Sequence, residues 1–247
     1  MNGKVILITG GGAGIGRAAA RMFARQGAKV VVTGRREAVL QALAAEQEGI
    51  DYVVADASSA EDAVRTVQAV VERHGRLDVL VNNAGAGAIL PLAQASAEQV
   101  AAIFTTNVVG PSLLATAALP HLKETRGAIV NVSSTFGHKA GGMLSHYAGS
   151  KAALEHMTRC WALELAADGI RVNAIAAGPT ETDFLAERMH LTPEQIEEVK
   201  AQERASIPLG RRGVPEDVAS WIVSIAGTDG AWITGQVLAV DGGLNIA

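Results

Sequence analysis

Short apolar runs rich in β-branched residues recur at Val5 to Thr9, Lys29 to Thr33, Tyr52 to Ala55, Leu77 to Val81, Ala128 to Val132, Arg171 to Ala176 and Val237 to Val240. Runs this short and this uniformly apolar suit strands covered on both faces. Between them lie longer segments with helical spacing: Ile15 to Gln26, Ala60 to His74, Glu98 to Leu119, Tyr147 to Ala167 and Pro215 to Ala226. Strand and helix in alternation predict an α/β chain, a doubly wound seven-stranded parallel sheet with helices on both faces and right-handed crossovers. No repeat, low-complexity tract or linker marks a second unit, so residues 1–247 read as one domain. The exception to the alternation is Thr180 to Gly213, which lacks strand character and reads as an inserted helical lid.

Composition sharpens this picture. Hydrophobic residues make up 49% of the chain and aromatics 4%, so the core is expected to be Val, Ile, Leu and Ala packed between sheet and helices. The net charge of −4 comes from interspersed acids and bases, with no block of like charge to draw a nucleic acid or an anionic membrane. Cys160 is the single cysteine, which excludes an internal disulfide and makes a cytoplasmic location the default expectation. The longest apolar stretch, Val108 to Pro120, is interrupted by Gly110 and Pro111 and is shorter than the ~20 residues of a membrane span. No cluster of His, Asp and Glu has metal-ligand spacing, so no metal is expected.

In an open parallel sheet, ligands sit beyond the carboxyl ends of the strands. After the first strand comes Thr9-Gly10-Gly11-Gly12-Ala13-Gly14-Ile15-Gly16, a turn that lets backbone approach a pyrophosphate at the start of a helix. Taken alone, it is equally an ordinary tight turn. At the end of the second strand, where an acidic residue would hold the ribose hydroxyls of NAD, stands Gly34, followed by Arg35 and Arg36. Guanidinium groups suit a 2′-phosphate, so NADP(H) is favoured and NAD(H) remains open. Ala13 adds no second basic residue in the turn.

Tyr147 and Lys151 are one helical turn apart, on one face. A phenol with an ordinary pKa of about 10 needs a nearby cation to act as an acid or base near neutrality, and Lys151 is placed to lower it. Ser134 ends the fifth strand, its hydroxyl available to a substrate oxygen.

With these residues in this order, the chain resembles the short-chain dehydrogenase/reductase family over essentially its whole length. The resemblance rests on the Thr9 to Gly16 turn, on Asn82-Asn83-Ala84-Gly85, on Asn107, Ser134, Tyr147 and Lys151, and on the closing Thr234-Gly235-Gln236 and Asp241-Gly242-Gly243. It implies a single-domain Rossmann fold, a nicotinamide cofactor, and hydride transfer to or from a carbonyl or alcohol carbon. It also implies that Asp56, with Ala57 beside it, meets the adenine, that Asn83, Ala84 and Gly85 form the cofactor floor, and that Asn107 completes a catalytic tetrad. The family's usual Pro-Gly after the sixth strand appears here as Ala177-Gly178-Pro179. Gly178, Pro179, Thr180 and Thr182 are still expected near the nicotinamide.

Pro111 has no N–H, so the Asn107 carbonyl four residues earlier loses its usual helical partner. Either the helix simply kinks there for packing, or the freed oxygen holds a water that connects Lys151 to solvent. Substrate contacts are expected from Ala86 to Leu90, Phe136 to His146, and the lid residues Phe184, Leu185, Met189 and Leu191. That lining suits a ketone or secondary alcohol with an apolar body. Lys139, Arg188, His138 and His146 leave room for one anionic group. The resemblance further implies a homodimer or homotetramer paired through the helices at 98–119 and 147–167. Two rival readings share the fold, an epimerase or dehydratase and a non-catalytic dinucleotide sensor; the latter has no need of Ser134, Tyr147 and Lys151 together.

Overall fold

The computed structural model describes residues 1–189 and 191–247. Strands β1 (Val5–Thr9), β2 (Lys29–Gly34), β3 (Ile50–Val54), β4 (Val79–Asn82), β5 (Ala128–Ser134), β6 (Arg171–Ala177) and β7 (Val237–Val240) form one sheet in the order β3-β2-β1-β4-β5-β6-β7. Every pairing is parallel. The chain therefore has the single-domain Rossmann architecture that its alternation predicts. The order reverses between β1 and β4, and a crevice opens there beyond the strand ends.

The helices are α1 (Gly14–Arg25), α2 (Glu37–Glu46), α3 (Ala60–His74), α4 (Ala97–Phe104), α5 (Gly110–Thr125), α6 (Ser145–Leu165), α7 (Phe184–Glu187), α8 (Pro193–Ser206) and α9 (Pro215–Ala226). Strand residues alternate between two buried layers. Ile6, Ile8, Val30 and Val32 pack with Phe23 of α1 and Ile222 of α9, whereas Val5, Leu7 and Val31 pack with Val67 of α3 and Leu122 of α5. Burial on both faces is why the strand sequences show no polar alternation.

Local signals set several helix ends. Ser59 accepts a hydrogen bond from the Asp62 amide at the start of α3, and left-handed Gly75 ends it. Thr192 and Gln195 form a reciprocal cap before Pro193 opens α8. Helices α7 and α8 occupy the segment read as an insertion, whose ends are joined by a bridge between Thr180 and Gly213.

Three differences from the sequence pattern have physical causes. Helix α2 escapes the pattern because only Leu40 and Leu43 of its ten residues are buried. Strand β3 begins at Ile50 rather than Tyr52, since Ile50 already pairs with Val30. The helix expected over 98–119 instead runs as α4, a wide π turn over Thr105–Val109, and α5. The span Ala97–Thr125 is thus longer than the interrupted apolar stretch suggests, and long and apolar enough by length and composition to cross a bilayer. Its Leu114, Ala118 and Leu122 belong to the core beside the sheet, as in the core helix of a globular domain.

Helix α1 lies close to the β1 and β4 ends because Gly16 has no side chain. A Cβ there would sit 2.5 Å from Asn83 Nδ2 and 2.6 Å from the Gly10 carbonyl oxygen. Gly16→Ala is expected to lower stability by about 1–3 kcal/mol through overpacking. Urea unfolding followed by circular dichroism checks this; an unchanged midpoint would show that the contact yields freely.

Candidate active site

A chain of buried polar contacts sets helix α6 against the sheet. Asn82 Nδ2 donates to Asn131 Oδ1, Asn131 Nδ2 donates to Thr158 Oγ1, and the Thr158 hydroxyl donates to the Leu154 carbonyl, each at 2.8 Å. β4, β5 and α6 are thereby locked in one register, since leaving any of these buried groups unpaired is costly. In that register Tyr147 and Lys151 face the end of β5. Lys151 is 5% exposed, and its ammonium donates to the Val132 carbonyl at 2.9 Å. It stands 6.0 Å from the centre of the Tyr147 ring.

Tyr147, Lys151 and Ser134 line the inner part of a cleft of about 770 Å³ that also takes in the glycine turn. Burial pushes the Tyr147 phenol above its ordinary pKa, with the Ser134 hydroxyl pulling the other way. Burial likewise pushes the Lys151 ammonium down to about 8, opposed by the charge of Glu155. The spacing alone predicts a phenol lowered by its lysine neighbour; burial instead sets the direction upward. The ring of Phe184, from α7, lies 6.2 Å from that of Tyr147 and helps to cover it.

Not every expected residue reaches the cleft. The side-chain oxygen of Thr9 accepts from the Asn83 and Ala84 amides at 3.0 Å, and Asn83 Nδ2 donates to the Thr9 carbonyl at 2.9 Å. Thr9 and Gly16 thus stand behind the wall and tie the β1 turn to the β4 turn. Asn107, fully buried in the π turn, donates to the Ala86 carbonyl at 2.8 Å and to Ser150 Oγ at 2.9 Å, and accepts from the Ala86 amide at 2.8 Å. Its side chain is spent on shaping the loop after β4. Ser150, which no motif singled out, passes this contact on by donating to the Tyr147 carbonyl at 2.7 Å.

The outer part of the cleft is lined by Gly10, Gly12, Ala13, Gly14 and Ile15, by Arg35 and Arg36, and by Asp56 and Ala57. Asn83, Ala84 and Gly85 line it from the β4 side, and Gly178, Pro179, Thr180 and Thr182 from the β6 side. Gly10 and Gly14 are left-handed, with φ of +64° and +51°. Helix α1 starts there without a side-chain cap and without an acidic residue in its first turn. Its free amides therefore remain for an anion, as a pyrophosphate requires. A Cβ at Gly14 would lie 3.0 Å from Thr182 Cγ2, so the β6 segment closes onto the glycine turn despite the displaced proline.

Hydrogen bonds from the Ser58 hydroxyl and amide hold the Asp56 carboxyl below its ordinary range, with Arg35 adding to the effect. Arg36 is already engaged, at 2.5 Å from Glu187 of α7. Glu187 lies 151 residues away in sequence, so no local motif announces the pairing. These residues fit a nicotinamide dinucleotide: an anion cradle at the turn, basic groups past β2, and a reactive trio at the inner end.

The sequence profile of the Enoyl-(Acyl carrier protein) reductase family matches residues 10–245. A 3-oxoacyl-(acyl-carrier-protein) reductase of Thermotoga maritima is 38% identical over 251 residues, covering 100% of this chain and 99% of that protein. An L-fucose dehydrogenase of Bos taurus is 35% identical over 248 residues, covering 99% of this chain and 90% of that protein. Among solved structures, a 3-ketoacyl-(acyl-carrier-protein) reductase from Brucella melitensis complexed with NADH is similar with a TM-score of 0.91 and 34% identity, covering 99% of each chain. The chain thus belongs to the short-chain dehydrogenase/reductase family and is an NAD(P)-dependent oxidoreductase.

Proposed function

We propose that the protein is a carbonyl reductase that interconverts a ketone and a secondary alcohol with an apolar body, using NADP(H) in preference to NAD(H). The observation that carries this reading is the meeting of Ser134, Tyr147 and Lys151 at the inner end of the cleft, under Phe184. When bound, the nicotinamide supplies the hydride in the reducing direction and takes it up in the oxidising one.

Ser134 and Tyr147 hydrogen-bond the substrate oxygen, and Tyr147 gives it a proton as negative charge develops there. The raised pKa keeps the phenol protonated at neutral pH, which suits reduction. Below about 8 the Lys151 ammonium carries its charge, and that charge steadies the phenolate left behind. Lys151 also holds the ribose beside the nicotinamide, while Thr180 and Thr182 hold its carboxamide and phosphate side. The amides at the start of α1 hold the pyrophosphate, Asp56 meets the adenine, and Arg35 takes the 2′-phosphate, with Arg36 joining it through guanidinium nitrogens other than the one on Glu187. The Asn107 carbonyl, left without a four-residue partner by Pro111, accepts a hydrogen bond from a water through which a proton passes from solvent to Lys151.

Segment 180–213 acts as a substrate lid, with Phe184 and Met189 closing toward Gly87, whose added Cβ would lie 3.0 Å from the Met189 methyl. The protein works in the cytoplasm as a homodimer or homotetramer. The exposed apolar Val109, after α4, and Leu163, on α6, support pairing through those helices.

Tyr147→Phe is expected to retain NADPH binding, read by fluorescence, and to lose nearly all turnover of ethyl acetoacetate and acetoacetyl N-acetylcysteamine; retained turnover would remove Tyr147 as the acid. A Tyr52→Phe variant leaves Tyr147 as the single tyrosine. Its phenolate absorbance should titrate above the ordinary value of about 10. A midpoint below that would mean that burial does not govern the phenol. The Michaelis constant for NADPH should lie below that for NADH, and Arg35→Ala should narrow the gap by about tenfold, the usual scale for losing one charged hydrogen bond; an NADH preference in the parent protein would overturn the cofactor assignment.

A further inference from the structure

Helix α6 carries a second buried charge that the mechanism above does not use. Glu155 lies one turn beyond Lys151 and is 3% exposed. One carboxylate oxygen, Oε1, accepts a hydrogen bond from the Ser133 hydroxyl at 2.7 Å; the other, Oε2, lies 2.9 Å from His138 Nδ1. Ser133 immediately precedes Ser134, and His138 follows the tight turn Thr135–Gly137. A single carboxylate therefore grips both ends of the short segment that presents Ser134.

The turn is built to receive it. A Cβ on Gly137 would fall 2.2 Å from Glu155 Oε1 and 2.7 Å from Cδ, so only a glycine leaves room for the carboxylate beneath the turn. On the far side, the Thr135 hydroxyl donates to Asp241 Oδ2 at 2.9 Å, just past β7. The His138 and Lys139 amides close the turn onto the Thr135 carbonyl. Phe136 N donates to Ser134 Oγ at 3.3 Å, which fixes the direction of that hydroxyl. Segment 133–138 is held from α6 on one side and from the β7 end on the other.

We propose that Glu155 is a positioning residue for the reaction, which clamps the turn bearing Ser134 onto the helix bearing Tyr147 and Lys151. This rests on the catalytic reading of those three residues given above. The groups that face the carboxylate are Lys151 from its own helix, the Ser133 hydroxyl from β5 and the His138 imidazole from the turn, with Asp241 beyond it. Burying a carboxylate carries a desolvation cost even when a hydroxyl and an imidazole hold it. The clamp sets the gap that a substrate oxygen must bridge between Ser134 and Tyr147. The negative charge also opposes the desolvation of Lys151, which keeps the ammonium protonated to higher pH.

Glu155→Gln tests this, because it preserves size and one acceptor while removing the charge. The variant should fold and bind NADPH like the parent, with kcat for ethyl acetoacetate lower by about 10- to 100-fold, the scale on which small misplacements of reacting groups act. The alkaline limb of its kcat profile should move to lower pH. Carbon-13 NMR of labelled lysines, without cofactor or substrate, reads the charge directly. The Lys151 resonance, assigned by its loss in Lys151→Arg, should titrate lower in Glu155→Gln than in the parent. A folded variant with parental kcat and a parental Lys151 titration overturns the proposal, as does a fall in kcat matched by an equal loss of NADPH binding.

If Glu155→Gln does not fold, His138→Ala decides, since His138 reaches the surface. A kcat lower by about tenfold with unchanged NADPH affinity supports the clamp, and parental kcat removes it. Tyr147→Phe, assayed alongside, separates the two layers of the argument. Full turnover in Tyr147→Phe would undo the catalytic reading, whereas the Lys151 titration would still answer for Glu155.

Discussion

An ammonium group taken out of water has to be surrounded by oxygen, and that demand organises the protein around Lys151. The Val132 carbonyl supplies one partner, one residue past the last pair that joins β5 to β4, Asn131 with Asn82. Tyr147 lies beside it because α6 is a single regular helix, and Asn82, Asn131 and Thr158 help to hold α6 in place by linking it to two strands. Each of those links is itself buried and satisfied, so the helix cannot slide without stranding several polar groups at once. The precision of the inner cleft comes from polar contacts, and the surrounding aliphatic layers supply stability without fixing register.

The same logic explains how the two ends of the cleft are held together. At the outer end the polypeptide backbone faces the cleft, through uncapped amides at the start of α1. At the inner end side chains act, and they sit on elements from the other half of the sheet. Thr9 and Asn83 connect the halves by exchanging hydrogen bonds between hydroxyl, amide and carbonyl groups across the point where the strand order reverses. A ligand spanning both ends therefore meets one continuous wall.

Much of this was legible in the sequence. Seven aliphatic runs announced seven strands, because burial on both faces leaves the strong pattern of an uninterrupted apolar stretch. The glycine turn and the Tyr147–Lys151 spacing were legible because each depends on a few consecutive residues or one helical turn. Less was written locally elsewhere. Helix α2 hides because it buries little, and the pairing of Arg36 with Glu187 joins distant segments. Spacing correctly gave the proximity of Tyr147 and Lys151, but the direction of the phenol's pKa depends on how much water the neighbouring segments exclude, which no spacing encodes. Asn107 could be singled out by resemblance, but the exhaustion of its side chain on Ala86 and Ser150 appears only in three dimensions.

The wide turn at Thr105–Val109 constrains how this stretch can vary in length. There the Gly110 amide reaches back five residues, to the Thr105 carbonyl, where an α-helix would reach back four. The turn thus accommodates one residue more than regular winding needs. Deleting a single residue would restore regular winding and swing Asn107 by about 100° around the helix axis, away from the loop after β4. A one-residue indel in this span is therefore far from neutral, even though both flanking helices would survive it intact.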